Sequence, residues 1–196
     1  MIVDYDAELR RRAGRIRLVL TDCDGVLTDT GVYYSATGEE LKRFSVRDGM
    51  GTELLRLAGI ESGIISGEQS AGLERRAEKL MIRRLFTGIR DKDRLMTDIL
   101  EQTSLTIDQI AYIGDDINDL QVIRRVGENG LTGAPADAMP EVLDAVHHIC
   151  VATGGHGAFR EFADWILSLR RTAGRTTLGY IDLSTTGKGG EWTERQ

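Results

Sequence analysis

Short apolar runs rich in isoleucine, valine and leucine alternate with longer segments of helical periodicity along most of the chain. Short apolar runs between turn signals are typical of buried strands, whereas apolar residues spaced three and four apart indicate a helix. We therefore predict strands at 16–21, 60–65, 85–86, 109–113, 129–132 and 146–151. We predict helices at 48–57, 68–80, 91–101, 117–126 and 158–169.

This alternation predicts an α/β fold, with a Rossmann-like parallel sheet and helices on both of its faces. Two apolar segments, 32–34 and 41–46, flank a turn at 36–38, so we expect a small β-hairpin at about 31–46. The polar segment 6–13 is either a short helix or a loose arm. We expect residues 1–171 to form one domain and residues 172–196, which contain few apolar side chains, to form a flexible tail.

The composition narrows the classes of function. A net charge of -6 argues against a nucleic-acid partner, because phosphate backbones are held mainly by Lys and Arg. Two cysteines without metal-ligand spacing suit a reducing cytoplasm, and we expect no signal peptide and no membrane span. An acidic chain can still bind a phosphorylated small molecule when a metal cation supplies positive charge.

Polar side chains follow three of the predicted strands directly. Asp22 and Asp24 follow the first strand, Ser66 follows the second, and Asp115 with Asp116 follows the strand at 109–113. Ligands of parallel α/β sheets bind beyond the carboxyl ends of the strands. We therefore expect these groups to meet at one edge of the sheet.

The first acidic pair suits phosphoryl transfer. Asp22 could attack phosphorus and form an aspartyl-phosphate. Asp24 lies on the same side of an extended backbone and could protonate the leaving alkoxide and then activate water. Alternatively, the pair is a chance acidic junction between a strand and a turn at Gly25, since short motifs often match by chance.

The second acidic pair suits a magnesium ion, which prefers carboxylate oxygens. Asp115 and Asp116 would hold the ion with Asp22, and Asp119 would orient its ligands. Alternatively, these acids cap the helix at 117–126. Capping alone does not explain adjacent carboxylates, which repel each other without a cation between them.

Two further groups suit a phosphate. Ser66 and the Gly67 amide would bind phosphoryl oxygens at a helix N-terminus, although Ser66 alone could be an ordinary N-cap. Lys92 would neutralise charge in the transition state. Alternatively, Lys92 is an exposed side chain, but a cation at the start of a helix is poorly placed for the helix dipole.

These motifs together resemble the haloacid dehalogenase superfamily. The resemblance implies that Asp22 is the nucleophile, that Asp24 is the general acid and base, and that Ser66 and Lys92 bind phosphate. It also implies that Mg²⁺ is held by Asp22, the Asp24 carbonyl and Asp115. The matching motifs are DCDGVLTD at 22–29, IISG at 64–67, DK at 91–92 and GDDIND at 114–119.

The intervals between the motifs leave no room for a cap domain. Between Asp24 and Ser66 there is space for the hairpin and one helix, and between Ser66 and Lys92 for one helix and one strand. We expect oligomerisation to close the site instead, through the hairpin. Its aromatic side chains would otherwise form an exposed apolar ribbon, namely Tyr33, Tyr34 and Phe44.

Three longer stretches, 24–51, 126–138 and 154–167, resemble the 3-deoxy-D-manno-octulosonate 8-phosphate (KDO 8-phosphate) phosphatase family. The resemblance implies a homotetramer in which a neighbouring subunit helps to cover the site. Glu68 and Lys79 match a pattern of phosphatases that act on nonulosonate 9-phosphates (KDN or sialic acid), with Arg76 near Lys79. The segment around Arg47 favours octulosonate, so both substrates stay open.

Two other functions compete with a phosphatase. A phospho-accepting receiver domain also uses acids, a hydroxyl, a lysine and magnesium, but its lysine comes last in the chain, whereas Lys92 precedes Asp115. A non-catalytic oligomerisation domain of the kind associated with sugar-acid cytidylyltransferases carries degraded motifs, whereas all catalytic positions are intact here. We therefore favour a phosphatase that removes the terminal phosphate of a 3-deoxy-2-keto sugar acid.

Overall fold

The computed structural model of the chain describes residues 5–36 and 38–172. Eight strands lie in the described ranges: β1 (Leu18–Thr21), β2 (Val32–Ser35), β3 (Gly38–Lys42), β4 (Glu61–Ile65), β5 (Arg84–Phe86), β6 (Ile110–Ile113), β7 (Leu131–Ala134) and β8 (His148–Ile149). The α-helices there are α1 (Tyr5–Ala13), α2 (Val46–Leu57), α3 (Ala71–Lys79), α4 (Lys92–Thr103), α5 (Leu120–Gly127), α6 (Pro140–Leu143) and α7 (Ala158–Thr172).

Six strands form one parallel sheet in the order β5-β4-β1-β6-β7-β8, and β2 and β3 form a separate antiparallel hairpin. From β1 the chain builds the sheet toward β5, then crosses back to β6 and builds the other half. The order therefore reverses between β1 and β6, which is where doubly wound sheets bind ligands. The predicted Rossmann-like fold is confirmed.

Apolar clusters cover both faces of the sheet. Successive residues of β1 belong to opposite clusters: Val19 packs in the cluster with α1, α2, α3 and α7, whereas Leu18 and Leu20 pack in the cluster with α4, α5 and α6. All three side chains are fully buried. Burial on both faces holds β1 rigidly at the centre of the sheet, and it fixes the position of the residue that follows the strand.

Side-chain caps shift two helix boundaries from their predicted positions. Helix α2 begins at Val46 because the Ser45 hydroxyl accepts hydrogen bonds from two amides of the first turn. Helix α3 begins at Ala71 because the Ser70 hydroxyl accepts from the Leu73 amide at 3.3 Å. The predicted start of this helix at residue 68 is wrong.

The hairpin strands also differ from the prediction, since the second is β3 (Gly38–Lys42) rather than 41–46. Between β1 and β4 the described chain holds only this hairpin and α2, and between β4 and β5 it holds only α3. No cap domain is therefore inserted in the described ranges. Of the predicted tail, residues 173–196 lie outside the described residues, and among the described helices none has the length and apolar content to cross a bilayer.

Candidate active site

The pairing of β1 with β6 brings the two groups of acids together. Asp22 directly follows β1, its amide donates to the Ile113 carbonyl at 3.0 Å, and Asp115 lies two residues beyond the end of β6. Carboxylate oxygens of Asp22, Asp115 and Asp119 lie within 4.8 Å of one another. Neighbouring strand ends thus produce one acidic cluster from distant parts of the chain.

Two glycines make room for these acids. Gly25 has a φ of 92°, and a Cβ added there would lie 1.9 Å from Oδ2 of Asp115. A Cβ on Gly114 would lie 2.5 Å from Cγ of Asp119. Gly25 therefore allows the loops after β1 and β6 to approach each other, and Gly114 allows the loop after β6 to fold tightly around Asp119.

Lys92 is buried at the centre of the acidic cluster, with 2% of its surface exposed. Its Nζ lies 2.9 Å from Oδ1 of Asp22 and donates to Oδ1 of Asp119 at 2.7 Å. Burial by itself lowers the pKa of Lys92, but the two carboxylates outweigh burial and raise it. The alternative of a solvent-exposed lysine is wrong, and the ammonium group is charged.

The acids carry more negative charge than Lys92 can balance. Burial raises the pKa of Asp22 to about 7, with a further rise from Asp119 and a partial offset from Lys92. Burial raises the pKa of Asp115 to about 8, with further repulsion from Asp22, Asp119 and Asp116. These shifts reflect carboxylates that lack a counter-charge.

Asp115 and Asp22 could hold a magnesium ion. Oδ1 of Asp115 is buried and has no hydrogen-bond partner among the described residues. An unpartnered carboxylate oxygen beside a second carboxylate is an all-oxygen donor set, which is the kind that Mg²⁺ prefers. A divalent cation would also supply the missing positive charge, so the residues present fit the ion.

Asp119 and Asp116 serve as supports for the cluster. Asp119 is fully buried and accepts from Lys92, from the Tyr112 hydroxyl and from the Asp115 amide at 3.1 Å. Asp116 is exposed and its side chain accepts from the Ile117 amide at the start of a 3₁₀ turn, Ile117–Asp119. Both acids therefore take part in capping this turn, and Asp119 also positions Lys92 and the loop after β6.

Asp24 pairs with a residue that the sequence did not indicate. Nζ of Lys42, at the end of β3, donates to both carboxylate oxygens of Asp24 at 2.9 Å. The Lys42 side chain is only 1% exposed, against 29% for Asp24, and the Thr28 hydroxyl also donates to Asp24 at 3.3 Å. The hairpin thus delivers a buried cation to the expected general acid.

Ser66 and Gly67 lie at the carboxyl end of β4, which is the neighbour of β1 on the other side. Ser66 is buried, and its Oγ accepts from the Glu68 amide at 3.2 Å. Because α3 begins later, at Ala71, the expected helix N-terminus at Ser66 is wrong, and so is the alternative of Ser66 as the N-cap. The two residues instead form a loop at the carboxyl edge of the sheet.

The four predicted sugar-contacting residues lie on α2, on α3 and in the loop before α3. Arg47, Glu68 and Lys79 are exposed, and Glu68 lies in the loop before α3 rather than on the helix. Arg76 donates to the Ser45 carbonyl at 2.8 Å. Within the described part of the chain, none of these side chains hydrogen-bonds to the acidic cluster.

Comparison with known proteins identifies relatives of this chain. It is 42% identical over 159 residues to the 3-deoxy-D-manno-octulosonate 8-phosphate phosphatase KdsC of Haemophilus influenzae. The aligned region covers 81% of this chain and 87% of that protein. It is also 42% identical over 157 residues to KdsC of Yersinia pestis, and the aligned region covers 80% of this chain and 82% of that protein. No family model matches the chain.

Solved structures agree with these relatives. The Moraxella catarrhalis phosphatase, solved with a magnesium ion, a phosphate ion and KDO, superposes with a TM-score of 0.79 at 32% identity, over 85% of this chain and 94% of that one. A haloacid dehalogenase superfamily hydrolase (subfamily III A) from Legionella pneumophila superposes with a TM-score of 0.79 at 39% identity, over 86% and 91%. The chain therefore belongs to the 3-deoxy-D-manno-octulosonate 8-phosphate phosphatase family of the haloacid dehalogenase superfamily.

Proposed function

We propose that this protein is a Mg²⁺-dependent phosphatase that hydrolyses KDO 8-phosphate to KDO and inorganic phosphate. The observation that best supports this proposal is the position of Asp22. It is a buried carboxylate at the end of the central strand, in contact with Lys92 and close to Asp115. The relatives named above are phosphatases for this substrate, and one of them was solved with magnesium, phosphate and KDO. A non-catalytic assembly domain is therefore not favoured.

Asp22 and Asp24 divide the chemistry between them. A carboxylate oxygen of Asp22 attacks phosphorus, the bond from phosphorus to the sugar oxygen breaks, and Asp24 donates its proton to the departing alkoxide. Asp24 then takes a proton from the water that attacks the aspartyl-phosphate, which releases phosphate and restores both acids. Because Lys92 and the Cys23 amide both contact Oδ1 of Asp22, we assign the attack to Oδ2.

The other residues of the cluster bind and orient the phosphoryl group. Lys92 and the Ser66 hydroxyl, with the Gly67 amide, contact its oxygens. Asp22, the Asp24 carbonyl and Asp115 hold Mg²⁺, which when bound supplies positive charge that stabilises the transferring phosphoryl group. Asp119 holds Lys92 in place, because it accepts the ammonium proton at 2.7 Å and is itself fully buried.

The test is a steady-state phosphate-release assay of the full chain with KDO 8-phosphate, in Mg²⁺ and in EDTA. We expect Mg²⁺-dependent turnover that Asp22→Asn abolishes while circular dichroism and thermal melting stay close to wild type. Absence of Mg²⁺-dependent phosphate release would refute the proposal. KDN 9-phosphate and sialic acid 9-phosphate serve as comparison substrates, and a preference for either would transfer the assignment to the nonulosonate branch.

We also propose that the chain assembles as a homotetramer through its hairpin, with a cytoplasmic location suited to its two free thiols. Tyr33, Tyr34 and Leu41 are 67%, 71% and 67% exposed, which leaves an apolar surface for a neighbouring subunit. In this proposal residues 1–171 form the domain, and residues 172–196 form a tail outside it. Light scattering of wild type and Tyr34→Asp tests it, with a monomeric wild type as the contrary result.

The same assembly gives a role to the exposed polar residues. We propose that Arg47, Glu68, Arg76 and Lys79 contact the sugar, with some of them contributed by a neighbouring subunit. The exposure of Arg47, Glu68 and Lys79 leaves these side chains available to a substrate or to a neighbouring subunit. Alanine substitutions should raise KM for KDO 8-phosphate more than they lower kcat, and unchanged KM values for all four variants would contradict this assignment.

A further inference from the structure

A second group of metal-ligating side chains lies at the far edge of the sheet. His148 is on β8, Cys150 follows that strand, and Glu161 is in the first turns of α7. One ligand atom from each of the three lies within 4.8 Å of the others. The group shares no residue with the acidic cluster, and the proposed phosphatase chemistry does not use it.

The imidazole ring of His148 is held in one orientation by stacking. Its ring stacks on Trp165 at 4.6 Å between centroids, with only 12° between the planes. Nε2 of His148 is buried and has no hydrogen-bond partner in the described part of the chain. The nearest Glu161 oxygen is 3.7 Å away, which is too long for a hydrogen bond. A buried ring nitrogen that makes no hydrogen bond can coordinate a metal ion instead.

The other two side chains are also held in place. Both Glu161 oxygens accept backbone amides at 2.9 Å, one from Val151 and one from Ala152. Carboxylate oxygens have further lone pairs, so these bonds orient Glu161 without using up its capacity. Cys150 is buried with 2% exposed; its thiol donates a weak 3.4 Å hydrogen bond to the Ala158 carbonyl, and the Phe162 amide also contacts its sulfur.

We propose that His148, Cys150 and Glu161 form a binding site for a zinc-class transition metal ion, separate from the magnesium site. Imidazole nitrogen, thiolate sulfur and carboxylate oxygen are the three donor types that Zn²⁺ takes, whereas Mg²⁺ takes oxygen only. Burial raises the pKa of Cys150 to about 12 without an ion, so binding must displace the thiol proton to solvent. Three protein ligands leave a fourth position for water.

An ion at this site would join β8 to α7 across the loop 151–157. This loop supports the catalytic loop after β1: the Gly155 amide donates to the Val26 carbonyl at 2.9 Å. A Cβ on Gly154 would lie 2.0 Å from the Gly25 carbonyl oxygen, so the two loops are in close contact. The proposed ion would therefore have a structural role. It would stabilise the loop 151–157, which packs against the loop after β1 that carries Asp24.

Co²⁺ spectroscopy tests the proposal without relying on activity. Chelator-treated full chain is saturated with Mg²⁺ to fill the oxygen site and is then titrated with Co²⁺. We expect one Co²⁺ per chain that carries a near-ultraviolet thiolate-to-cobalt charge-transfer band. Cys150→Ser should remove this band, and His148→Gln should weaken binding at least tenfold. The band should persist in Cys23→Ser, the matched variant of the other buried cysteine, and in Asp115→Asn.

The wild-type spectrum alone can overturn the proposal, because a chain that shows no thiolate band with Co²⁺ has no such site. A band that persists in Cys150→Ser also overturns it. If Cys150→Ser does not fold, Glu161→Gln replaces it, with circular dichroism as the check on folding. As an independent readout, Zn²⁺ should raise the thermal midpoint of wild type but not of His148→Gln, since binding to the native state alone stabilises it.

Discussion

The charge balance at Asp115 makes a quantitative prediction about metal-free protein. The folded-state pKa of Asp115 is about 8, above its ordinary value of 3.8, so the folded state prefers the protonated form. Stability from this group is complete below pH 3.8 and is lost as the pH rises through 8. Each pH unit inside this window changes the free energy of unfolding by about 1.4 kcal/mol per group. From about pH 5 to about pH 8, Asp115 alone therefore removes about 4 kcal/mol.

The perturbation that isolates this effect is Asp115→Asn, which keeps the shape of the side chain and removes its charge. Urea unfolding in EDTA gives the free energy of unfolding of wild type and variant at each pH. We expect the variant to gain about 4 kcal/mol over wild type between about pH 5 and about pH 8. The pKa values of His147 and His148 are lowered by burial, but their contribution cancels in the difference between the two proteins.

Two controls sharpen this experiment. Asp98→Asn removes the same charge from an exposed position on α4 and should leave the slope of stability against pH unchanged. Saturating Mg²⁺ should make wild type more stable than Asp115→Asn. The ion neutralises the wild-type carboxylates, and it binds the variant less tightly because one carboxylate ligand is missing. If wild type and Asp115→Asn have parallel profiles in EDTA, the carboxylates are not in repulsion and the reasoning fails.

Three further variants follow from the same contacts. Lys42→Met should lower kcat about 10- to 100-fold with little change in KM, because Asp24 loses the cation that holds it; an unchanged kcat would exclude this role. Gly25→Ala should weaken Mg²⁺ binding measured by calorimetry, whereas Gly59→Ala, which has similar backbone strain but open space, should not. Lys92→Met should destabilise metal-free protein by about 3–5 kcal/mol at pH 8 in urea unfolding, and by less at pH 5; equal losses would contradict it.

The acidic cluster could be predicted from sequence because strand ends determine it. The apolar runs before Asp22 and Asp115 indicate buried parallel strands, and parallel strands deliver the residues that follow them to one edge. The prediction did not require the strand order, although the pairing of β1 with β6 is what places the two side chains close together. A functional role for Lys92 is indicated more weakly, by its unfavourable position at the start of a helix, and its burial is not predicted.

Other features depend on tertiary contacts that no local pattern encodes. The pairing of Lys42 with Asp24 arises only when the hairpin folds over the carboxyl end of β1. The predicted start of α3 is wrong because both Ser66 and Ser70 are suitable N-caps. In the structure it is the Ser70 hydroxyl that accepts from the Leu73 amide in the first turn of the helix. Likewise, His148 and Cys150 have no metal-binding spacing in the sequence, since their third partner comes from α7.

Two residues that the sequence indicated as functional, Asp115 and Lys92, have surroundings that are ordinarily unfavourable for stability. Oδ1 of Asp115 is buried and has no hydrogen-bond partner in the described ranges, and Lys92 is a buried cation at a helix N-terminus, where the helix dipole disfavours it. The buried Asp115 carboxylate raises the energy of the metal-free fold at neutral pH and Lys92 offsets it only in part, so a divalent cation is needed to complete the charge balance. The rigid, fully buried β1 can tolerate this cost because apolar packing on both faces fixes Asp22 independently of its charge. The sites that lower stability are thus those whose position is secured by the surrounding core.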